Sequence, residues 1–156
     1  MGKPIDRRLG HHLKRAEQEL GAAKHSLLRK FKLNTPQYTV LLVLQEEPGL
    51  SGAVLARRCL VTPQTMSSVL GTLENRGLVE RKPHPIHSHI LEARLTRTGR
   101  ALLGKAHVDA TTVDEALHAE FTEEEREQLV HLLHRCATAL ADCRVPKEDG
   151  KAEPAE

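Results

Sequence analysis

The chain has 156 residues and a formal net charge of +2, a length that suits one domain or one compact unit of two small parts. Only three residues are aromatic (Phe31, Tyr38 and Phe121), which argues against a protein that stacks single-stranded bases on aromatic side chains. The longest apolar run, Val40–Leu44, is far shorter than a membrane span. Because no signal peptide is recognisable either, we expect a cytoplasmic protein without a membrane partner.

The small net charge hides an uneven distribution. Residues 1–50 carry +4 and residues 51–100 carry +5, whereas residues 101–156 carry −7. A basic front part is compatible with DNA binding, although an ordinary solvated surface would give the same pattern. An odd number of cysteines without a CxxC motif suits a reducing compartment; they are Cys59, Cys136 and Cys143.

The N-terminal part of the chain is predicted to be helical. Apolar residues spaced three and four apart predict one long helix over residues 5–31. Asn34 or Thr35 then caps a second helix, from Gln37 to about Gln45, which ends before Pro48-Gly49 because that pair breaks helices.

Two short helices with a tight joint follow. Ser51 caps the first of them, Gly52–Arg58, and Thr62 caps the second, which begins at Pro63 and ends at Arg76. Gly77 is typical of the residue that follows a helix end. Two consecutive short helices of this kind are typical of a helix-turn-helix.

The period then changes to that of strands. Leu78–Arg81 and Ile90–Leu95 predict two strands, and the prolines in the loop between them, Lys82–His89, prevent a helix there. Thr96 caps a long helix, Arg97–Glu120. A capping box formed by Thr122 and Glu125 then begins a last helix, Glu123 to about Ala141.

The helix that Thr62 caps has an apolar side and a polar side. Met66, Val69, Leu70 and Leu73 form its apolar side, and short polar residues face outward. Such side chains both donate and accept hydrogen bonds, as a recognition helix in a major groove requires, whereas a structural surface helix more often carries Glu and Lys pairs. The outward residues are Gln64, Thr65, Ser67, Ser68, Thr72 and Asn75.

Three stretches resemble the MarR family of bacterial transcription regulators. They are Leu55–Arg58 with Val61-Thr62, then Leu73–Arg81 (LENRGLVER), and Leu95–Arg100 (LTRTGR). The resemblance spans about residues 9–141. It implies a mainly α fold with a small β wing, a winged helix-turn-helix, in an obligate homodimer whose first, fifth and sixth helices form the interface. A monomeric helical bundle is the alternative.

The resemblance divides the chain into four parts. They are an N-terminal dimerisation helix over residues 1–33, a winged helix-turn-helix over 34–100, C-terminal dimerisation helices over 101–143, and a tail over 144–156. The tail is rich in charged residues, Pro and Ala, so we expect it to be disordered.

A two-fold dimer would present its recognition helices about 34–36 Å apart to a pseudo-palindromic, double-stranded DNA site. Gln64, Thr65, Ser67 and Ser68 would read bases. Thr62, Asn75, Arg76, Arg81 and Lys82 would lie nearer phosphates and position the protein without specifying a sequence. Thr72 belongs to the outward, DNA-binding side of the same helix, and the wing, with His87, Ser88 and His89, would reach the adjacent minor groove.

The wing departs from the family pattern, which usually has Asp before the turn and a pair of Arg at its far end. Here His84 and His87 stand at the Asp positions, and Ser88 and His89 at the Arg positions; Ser68 replaces the usual Arg of the recognition helix. Because a protonated His89 would attract the minor groove, we expect DNA affinity to rise below about pH 6.5.

The same three wing histidines raise the alternative of a zinc site. Pro85 and strand alternation would spread the rings of His84, His87 and His89, and no cysteine or carboxylate lies beside them in sequence. We therefore expect solvent- or phosphate-facing histidines, no metal and no cofactor.

MarR-like regulators often respond to small phenolic or anionic ligands, or to oxidation. His12, Arg15 and Tyr38 would suit a small aromatic or anionic effector, unless they only satisfy one another or face water. Cys59 offers a redox alternative because the neighbouring Arg57-Arg58 could lower its pKa, unless the thiol only packs the turn.

Three classes of function were weighed. No glycine-rich phosphate loop, GxSxG, HExxH or paired-acid constellation supports an enzyme. A nonspecific architectural DNA-binding protein would need a more basic face and apolar wedges. The sequence favours a DNA-binding transcriptional regulator, a repressor that a small ligand releases from its operator, with a redox switch at Cys59 as the alternative.

Overall fold

The computed structural model describes residues 4–143, except the side chain of Asp6. Within the chain, residues 1–115 and 116–156 form two compact units, which are described separately below. The tail over residues 144–156, which the sequence predicts to be disordered, lies outside the described residues. None of the helices described is long and apolar enough to cross a membrane.

Helices dominate the structure. They are α1 (Leu9–Leu28), α2 (Thr35–Glu46), α3 (Gly52–Arg58), α4 (Pro63–Asn75), α5 (Arg97–Glu120) and α6 (Glu123–Asp142). Three short strands, β1 (Leu50–Ser51), β2 (Val79–Pro83) and β3 (Leu91–Leu95), form one antiparallel sheet in the order β1-β3-β2. The predicted fold class, mainly α with a small β wing, is confirmed.

Side-chain caps explain why the helices begin where they do. The side chain of Asn34 accepts a hydrogen bond from the backbone N–H of Gln37 (2.9 Å), and the Gln37 side chain accepts one from the N–H of Asn34 (3.1 Å). Thr122 and Glu125 form the same reciprocal arrangement before α6. Since each cap satisfies N–H groups that a helix leaves open, the predicted starts of α2 to α6 lie within two residues of the observed ones.

The prediction of one unbroken helix over residues 5–31 is wrong. Ile5–Arg7 forms a 3₁₀ turn, and Arg8 is extended (φ −91°, ψ 123°) before α1 begins. A second 3₁₀ turn, Arg29–Phe31, follows α1. Apolar spacing continues across both junctions, so periodicity cannot detect a local change from four-residue to three-residue hydrogen bonding.

Strand β1 is not predicted from the sequence. Leu50 pairs with Ala93 and Ser51 with Glu92, so β1 adds an edge to the predicted pair of strands. Two residues are too few to show an alternating pattern. Gly49, with φ +86°, turns the chain into this strand and donates its N–H to the carbonyl of Ala93 (3.0 Å).

The apolar side of α4 lies in the core of the first unit, as predicted. Met66, Val69, Leu70 and Leu73 are buried, as are Leu55 of α3 and Leu41 and Leu44 of α2. Burying a side chain of this size contributes about 1.5–3 kcal/mol. Because the core holds the apolar side, the opposite side of α4 faces solvent.

A backbone junction at Leu78 joins α4, the sheet and α5. The N–H of Leu78 donates to the carbonyl of Leu73 (2.9 Å), and the carbonyl of Leu78 accepts from the N–H of Thr96 (3.1 Å). The Thr96 hydroxyl donates to the carbonyl of Gly77 (2.6 Å) and accepts from the N–H of Gly99 (3.0 Å). Gly99 lies so close that a Cβ there would be 2.0 Å from the Leu78 carbonyl oxygen.

Two glycines of α5 should therefore respond oppositely to alanine. Gly99→Ala should lower the free energy of unfolding by about 1–3 kcal/mol or more, because the added methyl group would push the Leu78 backbone away. Gly104→Ala should raise it by about 1 kcal/mol, since a Cβ there meets no atom within 4 Å and alanine favours helix. Urea denaturation followed by circular dichroism measures both. Equal effects of the two changes would contradict the close approach at Leu78.

Candidate DNA-binding surface

The outer side of α4 presents a row of exposed polar side chains. Gln64, Ser67 and Ser68 are exposed, and the side chains of Gln64 and Ser67 make no hydrogen bond within residues 4–143. They flank the buried Met66, so helix geometry directs them away from the core. These are the side chains of α4 that remain available to an external partner.

Several of the other residues of α4 and its N-cap that are predicted to contact DNA also support the helix itself. Thr62 caps α4 by accepting from the N–H of Thr65 (3.1 Å), and the two hydroxyls are 2.9 Å apart. The Thr72 hydroxyl donates to the carbonyl of Ser68 (3.0 Å). Asn75, also exposed, is the last residue of α4. Thr62, Thr65 and Thr72 therefore have local partners that DNA would have to share or replace.

Arg76 has a role that the sequence did not reveal. One guanidinium nitrogen donates to the carbonyl of Lys32 (2.7 Å) and the other to the carbonyl of Phe31 (3.2 Å). Lys32 has a left-handed backbone (φ 54°) and caps the turn after α1. Arg76 thus ties the end of α4 to the end of the first helical segment.

The cations at the base of the wing are paired. Arg81 donates from Nε to Glu74 (2.9 Å), and this hydrogen bond holds the pKa of that carboxyl below its ordinary value. Lys82 Nζ lies 3.0 Å from Glu80 Oε2, and both side chains are exposed. Lys82 is therefore free to turn toward a phosphate, because an exposed pair contributes at most about 1 kcal/mol.

The wing is a closed hairpin between β2 and β3. The N–H of His84 donates to the carbonyl of Ile90, and the N–H of Ile90 donates to the carbonyl of His87, both at 2.8 Å. His87, Ser88 and His89 are exposed, as the wing prediction requires. The rings of His84 and His87 stack with centroids 5.2 Å apart, and no group of metal-type side chains suited to an ion occurs among the described residues.

Three further histidines line a shallow groove of about 460 Å³ in the second unit. They are His118, His131 and His134. Arg126 stabilises the adjoining corner by donating to the carbonyls of His118 and Phe121 (both 2.6 Å), and it pairs with Glu123. The groove therefore lies beside the turn between α5 and α6, which Arg126 stabilises.

The sequence of this chain is similar to those of known transcription regulators. The model of the MarR family matches residues 31–87. The HTH-type transcriptional repressor Rv2887 of Mycobacterium tuberculosis is 34% identical over 135 residues, which cover 86% of this chain and 97% of that protein.

The chain belongs to the MarR family.

Solved structures of MarR-family proteins are similar to the structure of this chain. The Mycobacterium tuberculosis MarR family protein Rv2887 in complex with p-aminosalicylic acid is 33% identical, with a TM-score of 0.63, over 83% of this chain and 98% of that chain. The transcriptional repressor CouR bound to a 23-mer DNA duplex is 27% identical, with a TM-score of 0.77, over 85% of this chain and 94% of that one.

The predicted effector residues of this MarR-family protein lie in different environments. His12 and Arg15 are exposed on α1, whereas Tyr38 is buried on α2 and its hydroxyl lies 2.8 Å from Nδ1 of His107 on α5. Burial, and then the negative charge of Asp114, raise the pKa of Tyr38. Among the described contacts, none joins Arg15 to Tyr38.

His107, the partner of Tyr38, is not among the residues predicted from the sequence. Its position on α5 could have indicated it, because the neighbouring Leu103, Ala106 and Ala110 are buried and this part of the helix faces inward. A polar side chain on such a face requires a partner, and the Tyr38 hydroxyl supplies it.

The expected lowering of the Cys59 pKa is wrong. Burial raises the pKa of this thiol more than Arg58 lowers it. Arg58 forms an ion pair with Glu47, and its second nitrogen lies 3.9 Å from Glu46, so its charge is shared with carboxylates. Cys59 packs against the core between α3 and α4, in the way expected of a small hydrophobe.

Alkylation should therefore distinguish the cysteines. At pH 8, Cys59 should react with iodoacetamide more slowly than the exposed Cys143, since a raised pKa leaves less thiolate and partial burial limits access. Mass spectrometry of peptides from a time course measures both rates. Faster labelling of Cys59 would restore the redox alternative. The same reaction in urea, where access is equal, is the control.

Proposed function

We propose that this protein is a transcriptional repressor that binds a pseudo-palindromic double-stranded DNA site as a homodimer. It acts in the cytoplasm by binding rather than by catalysis. The observation that carries the proposal is the exposed polar side of α4, where Gln64, Ser67 and Ser68 are held outward by a buried apolar side. The repressor CouR, which shares the fold, has been solved on a DNA duplex, and relatives are named repressors.

Charge supports the same proposal. Residues 1–100 carry a net charge of +9, whereas residues 101–156 carry −7. Cations near phosphates supply sequence-independent affinity, and base contacts then discriminate. Gln64 is the strongest candidate for discrimination, because a glutamine side chain can form two hydrogen bonds with adenine.

Exposed apolar residues on the terminal helices support the homodimer. No residue of α6 is buried, although the helix carries Leu129, Val130, Leu132, Leu133 and Leu140, of which Leu140 is 60% exposed. Leu9 of α1 and Leu117 of α5 are exposed as well. An apolar helix side of this extent requires a partner surface. The occupant that the resemblance implies is a second copy of this chain.

Selection from a random duplex library should yield a palindromic site bound by two chains per duplex. Gln64→Ala should weaken binding to that site about 10- to 100-fold, because its two base contacts are lost, while binding to a scrambled duplex stays the same. Fluorescence anisotropy at fixed salt measures affinity and stoichiometry together. Gln128→Ala, an identical change on exposed α6, is the matched control.

Equal affinity for selected and scrambled duplexes would contradict the proposal and favour an architectural DNA-binding protein. Saturation at one chain per duplex would contradict the homodimer. Neither outcome could arise from misfolding if the thermal midpoints of the variants match that of the unchanged protein.

We further propose that a small aromatic acid releases the protein from DNA. The related protein Rv2887 has been solved with p-aminosalicylic acid and with salicylic acid. In this chain, Arg15 and His12 are exposed cations or potential cations on α1, and Tyr38 supplies an aromatic ring on α2. An arginine pairs well with a carboxylate because both are planar and hydrogen-bond in parallel.

Arg15→Gln should raise the salicylate concentration needed for half-release about tenfold, since it removes a charge-assisted hydrogen bond. Lys14→Gln is the matched control, because Lys14 is the neighbouring cation and pairs with Glu17 instead (2.7 Å). Anisotropy of the DNA complex titrated with salicylate measures the response. If both variants respond like the unchanged protein, Arg15 is not part of the effector site.

A further inference from the structure

The turn of the wing is held by a histidine ring. Nδ1 of His84 accepts hydrogen bonds from the backbone N–H groups of Ile86 and His87, each at 3.1 Å. Two donors therefore converge on one ring nitrogen. The same arrangement is common for Asp and Asn at turns, where a side-chain oxygen accepts from N–H groups two or three residues later.

The surroundings of His84 specify which nitrogen carries the proton. Because Nδ1 accepts, its ring proton must be on Nε2, which lies 3.6 Å from Oε1 of Glu92 on β3. Glu92 is also paired with Arg94 (2.9 Å), and the ring of His87 stacks on the other side. Glu92 and His87 therefore contact the His84 ring, and Arg94 and Lys82, the register partner of Glu92 on β2, are the charged groups beside Glu92.

No other charged group is available to shape the wing. Pro83–Leu91 contains no Lys, Arg, Asp or Glu, so neither an ion pair within the turn nor an arginine at its tip can position it on DNA. The tip residue Ile86 is 81% exposed and contributes no packing to the turn. The shape of the turn thus depends on its backbone hydrogen bonds and on the two that His84 accepts.

We propose that neutral His84 is a positioning residue for DNA binding, because its Nδ1 holds the wing turn in the form that meets the DNA. The proposal rests on the proposed function, in which the wing contacts the operator. Protonation would place a hydrogen on Nδ1, facing two N–H donors, and would break both hydrogen bonds. Glu92 would attract the protonated ring through Nε2 but cannot remove the conflict at Nδ1.

The sign of the pH dependence follows. Because a histidine takes up a proton as the pH falls, the turn is held at high pH and released at low pH. DNA affinity should therefore fall as the pH is lowered. A histidine that attracts phosphates or the minor groove, as expected for His89 from the sequence, would give the opposite sign.

Binding to the selected duplex should be measured from pH 7.5 to pH 5.5 at constant ionic strength. The unchanged protein should lose affinity about fivefold, the effect of losing roughly one net hydrogen bond. His84→Ala should bind about fivefold more weakly at pH 7.5 and show no further loss. His84→Asn should keep full affinity at both pH values, because its side-chain oxygen accepts the same N–H groups and does not titrate.

His118→Asn is the matched control, since it makes the same change at an exposed histidine that lies outside the wing and α4. It should retain the fivefold loss of the unchanged protein. The proposal is overturned if affinity rises or stays constant toward pH 5.5, or if His84→Asn loses affinity as the unchanged protein does. Loss of the pH response in His89→Asn alone would assign it to that residue instead.

A measurement on the free protein separates this proposal from the proposed function. Ring ¹⁵N NMR at pH 7.5, with the His84 signals assigned by their absence in His84→Asn, should show the proton on Nε2. A proton on Nδ1 would overturn the positioning role even if DNA binds. Conversely, failure of the unchanged protein to prefer the selected duplex at pH 7.5 would contradict the proposed function and leave the assignment of the ring proton intact.

Discussion

The close approach of Gly99 to the backbone of Leu78 is the constraint on which the DNA-binding unit depends. At this point the end of α4, the beginning of β2 and the start of α5 share hydrogen bonds through Leu78 and Thr96. No side chain separates α5 from the strand, so these elements have one relative position rather than a range of positions. Helix α4 and the base of the wing are thereby held in a defined relative position.

Stability and recognition are assigned to opposite sides of one helix. Four buried apolar residues hold α4 in the core, whereas the exposed side chains of Gln64 and Ser67 make no hydrogen bond within residues 4–143. The arginines nearby serve the fold instead: Arg76 binds the carbonyls of Phe31 and Lys32, and Arg81 binds Glu74. The surface that we propose for DNA binding therefore depends on neutral hydrogen-bonding groups more than its basic composition suggests.

Sequence reasoning was accurate where the signal was local. Caps at Ser51, Thr62 and Thr122 placed helix starts because each requires only a few neighbouring residues. The change to a strand period predicted the two strands of the wing, and the resemblance then supplied the overall architecture. The two-residue strand β1 and the break at Arg8 were missed, since neither changes the apolar period.

Long-range partners could not be predicted at all. Arg76 meets a carbonyl 44 positions away, and Tyr38 meets a histidine 69 positions away. No sequence spacing encodes such pairs, because tertiary packing decides them. The role of His84 was missed for a different reason: a histidine can accept, donate or carry charge, and only its neighbours show which.

The contact between Arg76 and the segment after α1 has a mechanical consequence. Two guanidinium hydrogen bonds couple the end of α4 to the segment that follows α1. In the proposed homodimer, where the α1 helices of two chains meet, the C-terminal end of each α1 is thus connected to the α4 of its own chain. Tilting one α1 against the other would then change the distance between the two α4 helices, which must match one turn of the double helix.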